Sequence, residues 1–103
     1  MSTLNIQVIA TQNLINQFIY EYQLRLSKNT LRSYRYSIES FFNNCKKEYS
    51  EIKAKDIRDW INVLTEKGRK PKTIETRIYA LKEFFAFCFE DRYISSNPAL
   101  DIA

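Results

Sequence analysis

Histidine is absent from these 103 residues, and glycine occurs once. Without an imidazole no Ser-His-Asp or Cys-His nucleophile can be assembled. A single glycine cannot build a phosphate-cradling loop. The two cysteines come without a CxxC pair, which leaves no zinc site of a usual kind, and no cofactor is expected. Two prolines and one glycine are too few to punctuate an all-β fold. No apolar run approaches the roughly 20 residues of a membrane span, and no signal-peptide core follows Met1. The acids, Glu48, Glu51, Asp56 and Asp59 among them, stand singly on or near polar faces and read as solvated charge. No catalytic constellation emerges.

Apolar side chains make up 45% of the chain and aromatics 15%, enough for the one modest core that this length allows. The net charge of +4 permits a polyanionic partner without requiring one, so the placement of the cations matters more than their sum. Cys45 and Cys88, in FFNNC and FFAFC, read as buried free thiols that pack as small hydrophobes.

The chain is organised around Ser27–Cys45. Leu31, Tyr34, Ile38, Phe41, Phe42 and Cys45 recur at three- and four-residue steps, which gathers them on one side of an α-helix. Ser27 is the expected N-cap. A shift of 43 residues lays Thr30-Leu31 on Thr73-Ile74, Tyr36 on Tyr79, Ile38 on Leu81, Phe41-Phe42 on Phe84-Phe85 and Cys45 on Cys88. Two similar helices are therefore expected, each with a basic start and a phenylalanine-rich body.

Residues 1–10 alternate weakly at Leu4, Ile6 and Val8 and read as an extended or flexible arm. A first helix follows from a Thr11 cap to about Arg25. The second runs from Ser27 to Cys45, and a polar connection at 46–55 is anchored by Tyr49 and Ile52. A third helix, from about Ala54 to Lys67, carries Ile57, Trp60, Ile61 and Leu64 on one face, and Gly68 ends it. A fourth runs from Lys72 to about Asp91. The expected architecture is all-α, with four helices as two crossed hairpins and a domain body over residues 11–96.

Lys28, Arg32 and Arg35 lie at the start of the second helix; Lys70, Lys72 and Arg77 lie at the start of the fourth. The helix dipole already places partial positive charge there, so these cations slightly oppose helix stability unless an anion complements them. A nucleic-acid backbone would do so. Asn29, Thr30, Thr73 and Thr76 stand among them, short polar groups able to reach phosphates or base edges. Arg77 occupies the arc that holds Tyr34 in the second helix, so apolar neighbours wall it in and it needs a partner. The competing expectation is a helical protein-interaction module without DNA binding, presenting Ile15, Ile19, Tyr20 and Tyr22 of the first helix.

The ordered set Ser27, Thr30, Tyr34, Ile38, Phe41, then Ile57, Trp60-Ile61, Leu64, Gly68, then T-I-x-x-R-I-x-A-L-K-x-F-F from Thr73 to Phe85, then Asn97-Pro98, resembles the N-terminal core-binding, SAM-like domain of tyrosine recombinases of the phage-integrase type. The resemblance spans about residues 11–102. It implies a helical domain that docks on one side of double-stranded DNA, with the second and fourth helices toward the major groove. It implies a partner catalytic domain that closes on the other side and holds the arginines, lysine, histidines and nucleophilic tyrosine of the reaction. None of those maps onto this chain, which is therefore expected to be a non-catalytic fragment, with residues 97–103 opening the linker. It further implies homotetramers formed only on DNA and a cytoplasmic, bacterial or phage-encoded setting. One departure concerns the third helix, where Lys53-Ala54-Lys55 replaces the usual Ser or Thr cap.

Overall fold

A helix start leaves four backbone N–H groups without partners, and the last three helices here meet that need in different ways. In the computed structural model, which describes residues 3–102 with side chains from residue 9 onward, α1 spans Thr3–Tyr22, α2 Lys28–Cys45, α3 Ala54–Glu66 and α4 Pro71–Glu90, with a 3-10 turn at Tyr49–Glu51. No strand occurs among the described residues. Ser27 caps α2: its Oγ accepts the Thr30 N–H at 3.1 Å. The first residue of α3 follows Lys53, which has no capping oxygen. There the Asp56 carboxylate reaches back to accept the Lys53 N–H at 2.9 Å, and Lys47 donates to the same carboxylate at 3.0 Å. Pro71 opens α4, where its missing N–H costs nothing. Gly68 closes α3 at φ +75°; its N–H reaches the Thr65 carbonyl and the Arg69 N–H the Leu64 carbonyl, the double bond of a left-handed helix stop.

α1–α2 form one hairpin and α3–α4 the other. They cross so that α2 meets all three other helices and shares its largest interface with α4. Phe18, Ile38, Phe41, Leu81, Phe84, Phe85 and Cys88 are fully buried. The 43-residue relation is carried into space. Phe41 meets Phe85 at 6.4 Å between ring centres, and Phe42 meets Phe84 at 5.9 Å. Each contact is the other with its two helices exchanged, which is the signature of an approximate two-fold relation between α2 and α4. Edge-on aromatic pairs of this kind add about 0.5–1.5 kcal/mol beyond the area they bury.

Three expectations are corrected. The arm expected at 1–10 is helical from Thr3, while residues 1 and 2 lie outside the described residues. The weak alternation of Leu4, Ile6 and Val8 competes with a series at three- and four-residue steps, Leu4, Val8, Thr11 and Ile15, and the helical period wins. Thr11 is consequently no cap. It is buried within α1, and its Oγ1 accepts the Tyr49 N–H at 3.2 Å, tying the first hairpin to the inter-hairpin connection. Residues past 96 do not simply leave the body: Asn97 Oδ1 accepts the Ala99 N–H at 2.9 Å, and the turn this makes buries Ala99 and Ile102 in the core.

Candidate nucleic-acid interface

α2 and α4 lie side by side where both begin, and a groove of about 190 Å³ runs between them. Lys72, Thr73, Thr76 and Arg77 line it from α4, facing Ser33, Tyr36 and Ser37 of α2. Among the described residues no carboxylate lines it. Arg77 Cζ sits 4.6 Å from the centre of the Tyr36 ring, so the guanidinium lies on an aromatic face. Its Nε is buried and has no hydrogen-bond partner. An unsatisfied buried group of a charged side chain costs about 1–3 kcal/mol or more.

The hydroxyls of the groove divide by what they already do. Thr76 Oγ1 donates to the Lys72 carbonyl at 3.0 Å and Ser37 Oγ to the Ser33 carbonyl at 2.9 Å, so both protons are spent on their own helices. Thr73 and Ser33 keep theirs. Thr30, partly buried, accepts the Ser27 hydroxyl at 3.0 Å and so retains its own proton.

Of the other residues singled out from sequence, Lys28, Asn29, Arg32 and Lys70 are exposed and outside the groove lining. None of these three cations takes part in an ion pair among the described residues. Arg35 is placed differently. It donates to Asn16 Oδ1 at 2.8 Å and to Glu39 Oε2 at 3.4 Å, and Gln12 donates to the same Glu39 oxygen, so its charge is engaged across the α1–α2 hairpin. Three groove residues, Ser33, Tyr36 and Ser37, were not among the candidates singled out from sequence. The shift that superposes Tyr36 on Tyr79 was a signal for Tyr36, but nothing local marks Ser33.

The surface expected of a protein-interaction module is largely consumed by the core. Ile15 and Tyr22 are buried, leaving Tyr20 and Leu24 as the exposed large apolar groups at that end of the hairpin. Burial, reinforced by Tyr79 and Glu83, pushes the Tyr34 hydroxyl up to about 12. No described helix is long and apolar enough to cross a membrane, and no metal-binding cluster occurs among the described residues.

Residues 15–91 match the family described as phage integrase, N-terminal SAM-like domain. Among curated proteins, the chain is similar to tyrosine recombinase XerC of Thermodesulfovibrio yellowstonii, at 32% identity over 91 residues, 86% of this chain and 30% of that protein. It is 31% identical over 80 residues to tyrosine recombinase XerD of Rickettsia bellii, 75% of this chain and 26% of that protein. With tyrosine recombinase XerC of Bacillus pumilus it shares 32% identity over 97 residues, 86% of this chain and 31% of that protein. The chain therefore spans less than a third of the length of these relatives. No solved structure gives a significant match.

Proposed function

The chain belongs to the N-terminal SAM-like family of phage integrases, and from that premise we propose that it positions duplex DNA for a site-specific tyrosine recombinase, as one half of a clamp. The observation that carries this is the α2–α4 groove, which brings Lys72 and Arg77 together with free hydroxyls and, among the described residues, holds no acid and gives Arg77 no anionic partner. Lys28, Arg32 and Lys70 extend the same cationic end of the two helices as exposed charges that a phosphate backbone can neutralise. Arg35 contributes to the hairpin instead. Asn29, Thr30 and Thr73 are the groups nearest to a role at base edges; Thr76 can only accept there, since its proton is held by Lys72.

Breaking and rejoining DNA would fall to a catalytic domain elsewhere in the full protein, with tetramers assembling on DNA. This chain supplies register and orientation, because phosphate contacts fix where a protein sits without reading sequence themselves. An isolated half-clamp should bind duplex DNA weakly, with Kd of about 10⁻⁴ to 10⁻⁶ M at physiological salt. Titration at two salt concentrations tests the proposal: affinity should fall steeply as salt rises, and binding indifferent to salt sinks it. Amide NMR shifts during that titration should cluster at 28–33 and 70–77. Shifts confined to α1, and produced only by a protein ligand, would favour the interaction module.

A further inference from the structure

α4 ends in a left-handed turn at Arg92, φ 64°, where the Tyr93 N–H closes back on the Cys88 carbonyl at 2.8 Å and Ile94 is half-buried. From Ser95 onward the chain is held differently. Among the described residues, the hydrogen bonds of 95–102 are all internal to that segment. The Ala99 N–H donates to Asn97 Oδ1 at 2.9 Å, the Leu100 N–H to the Asn97 carbonyl at 3.3 Å and the Ile102 N–H to the Ala99 carbonyl at 3.2 Å. No ion pair among the described residues includes the segment. Its attachment therefore rests on apolar contact, chiefly through the buried side chains of Ala99 and Ile102. Ser95 and Ser96, exposed and outside any helix, lead into it along an open recess of about 810 Å³ that Tyr49, Ser50 and Ile52 also line. A segment that bonds only to itself and docks through two side chains can leave its host without breaking a hydrogen bond to it.

We propose that residues 95–102 form a releasable latch that sets how far the chain reaches beyond the helical body. Docked, the chain leaves the body at Ile102. Released, the point of departure retreats to Ile94, and residues 95–102 become free chain of roughly 25 Å at full extension. Ser95-Ser96 is the hinge and Ile102 the plug. The Asn97 side chain closes a turn on the N–H two residues on, and Pro98 fixes its own φ, so the docking shape is largely set before docking. The role of the latch rests on the DNA proposal above. A clamp whose other half lies across a duplex needs a reach that changes as it opens and closes, and release supplies it without melting a helix.

Amide hydrogen exchange of the full 103-residue chain tests this without DNA. The amides of Ala99, Leu100 and Ile102 should exchange at least about a hundredfold faster than those of Phe84 and Phe85, through an opening that low denaturant does not accelerate. Exchange of all five in step, with one response to denaturant, overturns the latch. Ile102→Ser should move the amide shifts of 95–102 to unfolded values while Tyr93 and Ile94 keep theirs. Loss of Tyr93, Ile94 and the last turn of α4 as well overturns the proposal, because the hinge then lies elsewhere. A docked segment adds to global stability no more than its own docking constant. In Ile102→Ser the Phe84 and Phe85 amides should therefore accelerate by no more than the protection that Leu100 has in the wild type. A larger acceleration makes Ile102 part of the body and removes the latch. Asn97→Ala breaks the turn without removing core atoms, and it decides the matter should Ile102→Ser fail to fold. It should speed the Leu100 and Ile102 amides about fivefold and leave Tyr93 and Ile94 unmoved, and unchanged rates at Leu100 and Ile102 count against the latch. Should the latch behave as expected while the chain binds no DNA, the latch stands and its role in a clamp falls.

Discussion

The Arg77 guanidinium of α4 sits 4.6 Å over the Tyr36 ring of α2. Exchange the two helices by the 43-residue relation and the same place is filled by Tyr34 of α2 against Tyr79 of α4, with ring centres 6.2 Å apart. Two packed copies of one helical pattern thus differ at this position, as they do where buried Ser37 stands against Ala80. Where one has a tyrosine whose hydroxyl can find the rim, the other has a cation. The substitution makes little sense for packing alone, and it is the asymmetry from which the functional proposal proceeds.

Charge on these helices should sort by partner. Arg32→Ala and Lys72→Ala should each leave stability within about 0.5 kcal/mol, yet lower DNA affinity and flatten the salt slope by about one unit. Arg35→Ala should do the reverse, losing roughly half a kcal/mol with the slope retained, because its pair with Glu39 is more than a third exposed and screened. Chemical denaturation beside DNA titration measures both quantities.

The cap of α3 makes stability depend on acid. Burial alone would raise the Asp56 carboxyl, but the Lys53 N–H and the Lys47 ammonium outweigh it and hold the group below its ordinary value. A carboxylate lowered in the folded state contributes stability that is whole above about pH 4 and is lost as pH falls through the folded value. Asp56→Asn should cost about 1 kcal/mol at neutral pH and remove that part of the acid dependence. Urea midpoints from pH 7 down to pH 3 check both; parallel curves for the two proteins would refute it.

Phe41 and Phe84 are equivalent under the helix exchange and both fully buried. Phe41→Leu and Phe84→Leu should therefore cost nearly the same, about 1–2 kcal/mol each. The double variant should depart from the sum, since the two lie in one cluster of touching rings. Equilibrium unfolding of the three proteins decides this.

Gly68→Ala separates conformation from clash. A Cβ at Gly68 meets nothing within 4 Å, but φ is +75°. The variant should lose about 1 kcal/mol from the left-handed backbone alone, seen as a fall in Tm of about 4–8 °C for a domain of this size. An unchanged Tm would show that the helix stop is not held at this angle.

Thiol chemistry should report the core. Burial pushes the Cys88 thiol up to about 12 and raises Cys45 as well. With an aromatic disulfide reagent at pH 8, Cys45, which is only partly buried, should react first and slowly. Cys88 should react only at the rate of global unfolding. Rapid release of two equivalents from the native protein contradicts this packing.

Helical period, the Ser27 cap, the Gly68 stop and the basic starts of α2 and α4 were all legible in the sequence, because each depends on residues within a turn or two. The family resemblance was legible for the same reason, being an ordered set of such local signals. Thr11 shows where this fails. A threonine before an apolar series reads as a cap, but its true partner, the Tyr49 N–H, lies on a connection that only the folded chain brings near. Arg35 fails likewise: three cations within about two turns look alike until Asn16 of α1 takes one of them.

What the sequence determined by itself is therefore four helices, their apolar faces and a cationic end, since backbone geometry repeats every 3.6 residues whatever surrounds it. Tertiary structure decided which cations are spent. Pairing α1 with α2 set Asn16 against Arg35, packing α4 on α2 set the Tyr36 ring beneath Arg77, and Arg77 Nε was left with nothing to bind. A side chain's partner is fixed by contact between distant segments, and local periodicity carries no information about which segments will meet.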